Sequence, residues 1–185
     1  MSHEDDFQQL LEQARAGEGT ALGFLFRDLH PRILRYLQTL EPSEAEDLAS
    51  DTWLDVSAGL GRFGGDERAL RAWAFTIARR RLVDLRRRRM RRPTVATEAE
   101  RLEEIGPTGD VEDEAMTELA TGSALKRIAR LSPEQAEVVL LRVLGGLSVE
   151  DVARLIDKRP VTVRVIQHRA LRRLARQLSQ ERVTR

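Results

Sequence analysis

Ser148–Leu178 reads SVEDVARLIDKRPVTVRVIQHRALRRLARQL. Ser148 with Asp151 three residues on is a capping box, which satisfies free amides at a helix start and opens a short helix Val149–Ile156. Asp157-Lys158-Arg159 makes a turn. Pro160 then starts a longer helix, running through about Leu178, because its fixed φ suits the first helical position and its missing N–H is not needed there. Short helix, tight turn and longer basic helix make the layout of a helix-turn-helix. That layout needs a small residue where the helices cross, a turn residue tolerant of left-handed backbone, and apolar anchors on the second helix. Ala153, Asp157 and Val163 with Ile166 fit those roles. On the side opposite the anchors stand Arg164, Val165, His168 and Arg169, and arginine there can read guanine, worth about 1–3 kcal/mol per good bidentate contact. The competing structural reading is a plain helical hairpin with a solvated charged face.

Upstream, Ser132-Pro133-Glu134-Gln135 supplies an N-cap, a first-turn proline and a capping-box Gln. The helix it opens carries Val138, Val139, Leu141 and Val143 and stops at Gly145-Gly146. Leu125, Ile128 and Leu131 end the helix before it. A small helical domain over 123–185 follows from these signals.

The other informative stretch is DERALRAWAFTIARRRLVDLRRRRMRR (Asp66–Arg92), with eleven arginines against three acids, a net charge of +8 in a chain whose total is +1. At about 100° per residue, Leu70, Trp73, Ala74, Ile77 and Leu85 make an apolar seam, with Arg79, Val83 and Arg86 on the opposite side. This predicts one long helix, N-capped by Asp66, on which Arg81 and Asp84 lie on the apolar side as an ion pair or as contacts to neighbouring helices. Trp53 and Trp73 fall at apolar positions and are expected in the core rather than as stacking platforms.

Before the arginine helix come three helices. Residues 5–16 form one that ends at Gly17. Ala21–Leu40 is helical with a kink or break near His30, because Pro31 sits inside the pattern. Ser43 with Glu46 opens a third, to about Leu60, whose acids Glu44, Glu46, Asp47, Asp51 and Asp55 are spread over its outer surface. Gly61, Gly64 and Gly65 make a loop. The segment 93–122 carries nine acids and one base and holds Gly106-Pro107, so it reads as an acidic linker with a weak helical pattern near Val111–Leu119. The fold class is therefore all-α, with two small helical domains, 1–92 and 123–185, joined by that linker.

Charge patterning carries more than net charge. Residues 66–92 and 158–185 each carry +8, residues 93–122 carry −8 and residues 1–65 carry −7. Two basic helical blocks with an acidic segment between them point to two contacts with a polyanion. With no cysteine, disulfides, thiolate zinc sites and a cysteine nucleophile are excluded. The sequence has no apolar run near the roughly 20 residues of a membrane span and no signal-peptide start, so a cytoplasmic protein is expected. It also lacks GxxxxGK[ST], HExxH and GxSxG, and no cluster of His with carboxylates is apparent, so no enzyme, metal or cofactor is expected. His3 is expected to be disordered and His30 structural, and of the three histidines only His168 sits on the reading surface.

In order and spacing, HPRILRYL (His30–Leu37), AEDLASDTW (Ala45–Trp53), RAWAFTIARRRLVDLRRR (Arg71–Arg88), LSPEQAEVVLLRVLGGLSVEDVARL (Leu131–Leu155) and TVRVIQHRALRRL (Thr162–Leu174) resemble a bacterial RNA polymerase sigma factor of the extracytoplasmic-function class. The resemblance covers about residues 5–178. It implies sigma domain 2 in the first half and sigma domain 4 in the second, and promoter-specific initiation with core RNA polymerase, contacted at the clamp and flap of its two large subunits. It further implies that Glu46, Asp47, Asp51 and Asp55 bind the clamp. Arg62, Arg79, Arg80, Val83, Arg86 and Arg87 would hold the single-stranded minus-ten DNA. Arg159, Thr162, Arg164, Val165, His168, Arg169 and Arg172 would contact the minus-thirty-five duplex. It implies an anti-sigma factor as a regulator, and the free protein is expected to be a monomer. The chain departs from the family pattern at Arg80, usually Asn, at Asp157, usually Gly, at Val165, commonly Ser, and at Ser50, frequently Gln. Two other classes remain: a dimeric helix-turn-helix regulator that needs no polymerase, and an arginine-rich RNA-binding protein. The first leaves the acidic and arginine helices without a use, and the second does not explain the capped helix-turn-helix.

Overall fold

The computed structural model describes residues 3–91 and 122–183. The helices are α1 (His3–Arg15), α2 (Gly19–Leu40), α3 (Ala45–Leu60), α4 (Glu67–Arg91), α5 (residues 122–129), α6 (Pro133–Val143), α7 (Val149–Leu155) and α8 (Pro160–Val183). A 3-10 turn, Pro42–Glu44, leads into α3. The linker expected over 93–122, with its weak pattern near Val111–Leu119, falls almost wholly outside the described residues.

Helix α2 is the hub: it packs on α1, α3, α4 and also on α6 of the second half. Its buried face, Leu25, Leu29, Ile33, Tyr36 and Leu37, has helical spacing, and each of these is nearly inaccessible to solvent. Pro31 does not break it. The helix runs through the proline, because the loss of one backbone hydrogen bond is offset by burial on both sides of it. In the second half α6 and α7 both pack on α8, and the buried residues of both halves belong to one continuous apolar cluster.

Local stop and start signals act largely as the sequence predicts. Ser132 Oγ accepts from the Gln135 amide, Asp66 Oδ1 accepts from the Ala69 amide at 2.7 Å, and the Ser148–Asp151 capping box is complete. The box expected from Ser43 and Glu46 does not form: Pro42 drives a 3-10 turn there, and α3 starts at Ala45 with no side-chain cap. Asp157 adopts φ 54° in the turn between α7 and α8, the left-handed conformation the layout requires.

The apolar side of α4 is rotated from the expected seam. Its buried residues are Leu70, Ala74, Phe75, Ala78 and Leu82, while Trp73, Ile77 and Leu85 flank the core half-buried. The rotation has a cause in tertiary structure, since α4 buries one side against α2 and α3 while Phe75 meets the second half of the chain. Trp53 and Trp73 are half-buried rings against the core. Trp53 sits edge-on to Phe26, and Trp73 stacks on Phe63, which pins the loop before α4.

Trp73 also sets a limit on α3. A Cβ built on Gly59 would stand 2.7 Å from the Trp73 ring. Gly-to-Ala in a helix interior ordinarily gains about 0.5–1 kcal/mol. Here the overlap reverses the sign, and Gly59→Ala is expected to destabilise by about 1–3 kcal/mol, read as a lower urea midpoint. A higher midpoint would show that the indole can move aside.

Candidate nucleic-acid interface

The second basic surface is the simpler one. Val163, Ile166 and Ala170 are buried and hold α8 against α6 and α7. Opposite them Arg164, Val165, His168, Arg169 and Arg172 are all exposed, as is Arg159 in the turn, while Thr162 is half-buried. The structure thus brings the predicted reading residues to one side of one helix. Val165, 44% exposed, has Val161, 60% exposed, one turn before it, so the face combines cations with aliphatic surface. Glu150 at the start of α7 takes an ion pair from Arg164 at 2.8 Å. Both partners are largely exposed, so the pair orients the guanidinium without contributing much to stability.

The first basic surface is divided. Arg80 and Arg87 lie on the open side of α4, with Arg87 only 4.0 Å from Asp84 in the same helix. Val83 is half-buried, and Arg62 is exposed in the loop before α4. Arg79 and Arg86, expected opposite the seam, are instead half-buried and engaged. Arg86 donates to the Leu40 carbonyl at 2.8 Å and pairs with Glu41. Arg79 Nε donates to Glu137 Oε1 of α6 at 2.9 Å. Arg89 closes the end of α4 on Glu41 and Glu44.

On α3 the acids separate too. Glu46 and Asp47 are exposed, whereas Asp51 and Asp55 both receive Arg81, at 3.1 and 2.7 Å. Arg81 therefore braces α4 against α3, and Asp84 pairs with Arg87 rather than with Arg81. Leu54 is 64% exposed on the same side of α3 as Asp47. Sequence reading passed over it, although an apolar side chain seven residues after Asp47 on a polar face was a usable signal. His30 stacks on Phe26 at 4.4 Å, and burial lowers its pKa against the opposing charge of Glu46.

Three residues without a sequence signal join the halves. Tyr36 is fully buried and its hydroxyl donates to Glu137 Oε1 at 3.2 Å. Burial first, and then the Glu137 charge, push its pKa well above the usual tyrosine range. Arg68, on the first turn of α4, donates to Asp151 through Nε and Nη2 at 3.1 and 2.7 Å. Burial alone would raise the Asp151 pKa, but hydrogen bonds from Ser148, Arg68 and Arg154 outweigh it and hold the carboxyl far below its ordinary value. Among the described residues there is no cluster that could hold a metal ion. No helix among them is long and apolar enough to cross a membrane.

A helix-turn-helix with an outward basic face, built beside a second, arginine-rich helix, defines an all-α nucleic-acid-binding protein with two separate basic surfaces. Comparison with known proteins narrows this. Residues 25–92 match Sigma-70 region 2, and residues 122–174 match Sigma-70 region 4. The chain is 36% identical over 172 residues to the ECF RNA polymerase sigma factor BldN of Streptomyces coelicolor, covering 92% of this chain but 65% of BldN. It is 33% identical over 178 residues to the ECF sigma factor ShbA of Streptomyces griseus, covering 89% of this chain and 91% of ShbA. The fold is shared with CnrH, solved with the cytosolic domain of CnrY (TM-score 0.60, 21% identity, 94% and 97% of the two chains). It is shared also with RpoE of Bartonella quintana, solved with the anti-sigma factor NepR (TM-score 0.60, 24% identity, 85% and 96%). The chain belongs to the extracytoplasmic-function sigma factors of bacterial RNA polymerase.

Asp151 makes acid sensitivity testable. A carboxyl whose folded pKa is depressed contributes stability above its unfolded value, about 4, and loses it as the pH falls further. Asp151→Asn is expected to lower the urea midpoint at pH 7, with the difference from the parent protein shrinking below about pH 4. A constant difference at every pH would assign the loss to capping geometry rather than charge.

Proposed function

We propose that this protein brings core RNA polymerase to a specific set of promoters. Its second half reads the minus-thirty-five duplex, and the arginine surface of α4 takes up the non-template strand of the minus-ten element. The observation that carries this is the presentation of Arg164, Val165, His168 and Arg169 together on the outer face of α8. The match of residues 122–174, which include most of α8, to Sigma-70 region 4 supports this reading. For the minus-ten strand the open residues Arg62, Arg80 and Arg87 are the outer contacts, with Val83 beside them and Arg79 and Arg86 nearer the core. Arg159, Thr162 and Arg172 flank the reading residues and meet phosphates, which position the helix without reading sequence.

For the polymerase clamp we infer a docking face on α3 made of Glu46 and Asp47 around Leu54. Asp51 and Asp55 act there chiefly through Arg81, as braces. A charged rim around an exposed aliphatic centre is the ordinary composition of a protein contact. Second contact with the flap falls to the domain-4 half. Control by an anti-sigma factor belongs to the same reading, since a partner covering both basic surfaces would keep the chain off DNA. The protein acts inside the cell, as a monomer when free and without catalysis of its own.

The decisive experiment is mapping of transcript starts produced in vitro by core polymerase with this protein on a genomic library. A shared upstream motif supports the reading. Failure to bind core polymerase, with a footprint on duplex DNA by the protein alone, would move it to the dimeric regulators. Two variants sharpen the assignment. Arg164→Ala is expected to lose about 1–3 kcal/mol of discrimination at one minus-thirty-five position, and an equal loss on all promoter sequences would argue against base reading. Leu54→Ala with Asp47→Ala should weaken core binding at unchanged thermal stability, and unchanged affinity for core would remove that face.

A further inference from the structure

Arg68, Phe75, Arg79 and Arg86 recur at spacings of seven, four and seven along α4, so they form one stripe at about 100° per residue. The first three of these meet the second half of the chain. Arg68 reaches Asp151 at 2.7 Å, and Arg79 reaches Glu137 at 2.9 Å. The Phe75 ring lies 3.5 Å from where a Cβ on Gly145 would stand. Glu137 lies on α6 and Gly145 just beyond its end, so α4 meets α6 and the turn that follows it. Tyr36, edge-on to Phe75 with ring centres 5.5 Å apart, adds its hydroxyl to the same Glu137 oxygen that Arg79 uses. Glu137 is thus seated in a notch made by α2 and α4, with its side chain 16% exposed and that of Arg79 27% exposed.

We propose that Glu137 is a built-in competitor for the minus-ten strand: its carboxylate occupies the Arg79 guanidinium, so DNA capture by that arginine requires the two halves of the chain to separate. This rests on the assignment of Arg79 to the strand-capture surface. A DNA phosphate and a carboxylate ask the same thing of a guanidinium, two acceptor oxygens in its plane, so both cannot hold Nε at once. The Arg68–Asp151 pair is a second tie and uses no residue assigned to DNA or polymerase. Meanwhile Asp47 and Leu54 stay exposed with the halves together. Polymerase can therefore dock on α3 before the lock opens, and opening becomes a step after docking. A state populated only as a fraction of molecules weakens apparent DNA affinity by that fraction.

The absence of cysteine allows clean labelling of the full chain at Gln9→Cys and Ala175→Cys, both exposed positions, for energy transfer between the halves. Glu137→Gln should lower transfer at low salt. It should also tighten binding of a fluorescein-labelled single-stranded oligodeoxynucleotide by about fivefold, the size expected of one partly exposed ion pair. Arg68→Ala should shift both readings in the same direction, and the reversed pair Arg79→Glu with Glu137→Arg should restore high transfer. Unchanged transfer and unchanged affinity in both Glu137→Gln and Arg68→Ala would overturn the proposal. Arg79→Ala separates it from the assignment beneath it. Low transfer without a gain in DNA affinity supports both. Low transfer with the same gain as Glu137→Gln keeps the lock but removes Arg79 as a strand contact, and with it the competition.

Discussion

Compensation of the charge on α4 is the constraint on which the structure depends. That helix must bury Leu70, Ala74, Phe75, Ala78 and Leu82 while arginines crowd its other sides. Unanswered, they would repel one another and resist packing. Many of these arginines are answered by an acid brought from elsewhere: Asp51 and Asp55 for Arg81, Glu41 for Arg86 and Arg89, Glu137 for Arg79 and Asp151 for Arg68, while Arg71 is answered by Glu67 within α4 itself. The positions of α3, of the α2–α3 corner and of α6 are all fixed in part by this requirement. On the open side Arg80, Arg88 and Arg91 are exposed, and Arg87 meets, among the described residues, only Asp84 of its own helix at 4.0 Å, so positive charge stays uncovered there.

The ties also bear on size. The second half is about sixty residues, a length at which a single apolar core contributes only a few kcal/mol. Here its core is continuous with that of the first half through Tyr36 and Phe75. Each half stabilises the other, and separating them exposes aromatic surface as well as breaking ion pairs.

Much of this was legible in the sequence. Local chemistry was read well: the caps at Asp66, Ser132 and Ser148, the left-handed Asp157 and the anchors of α8 each depend on neighbours within four residues. Pairings between distant segments were not. Glu137 lies fifty-eight positions from Arg79, and no periodicity connects them. The rotation of the α4 seam has the same origin, because Phe75 meets Gly145 and Arg79 meets Glu137, both from the other half of the chain. At Pro31 the kink-or-break signal does not end the helix, since packing on both sides carries α2 through it. Of the candidate site, the grouping of Arg164, Val165, His168 and Arg169 on one outer face of α8 was recoverable because it is a single-helix property. The face proposed for strand capture was only partly so, since Arg79 and Arg86 are half-buried and engaged rather than opposite the apolar side.

Asp151 joins these two levels. The oxygen that receives Arg68 is the one that accepts from the backbone and hydroxyl of Ser148 to cap α7. The start of the helix-turn-helix and the attachment to α4 are therefore not separable quantities. Removing Arg68 loosens the cap, and removing Ser148 loosens the attachment, so their effects should fail to add in a double-mutant cycle. Over evolutionary time the three positions would be expected to change in concert, because any one altered alone leaves a carboxylate serving a partner that has gone.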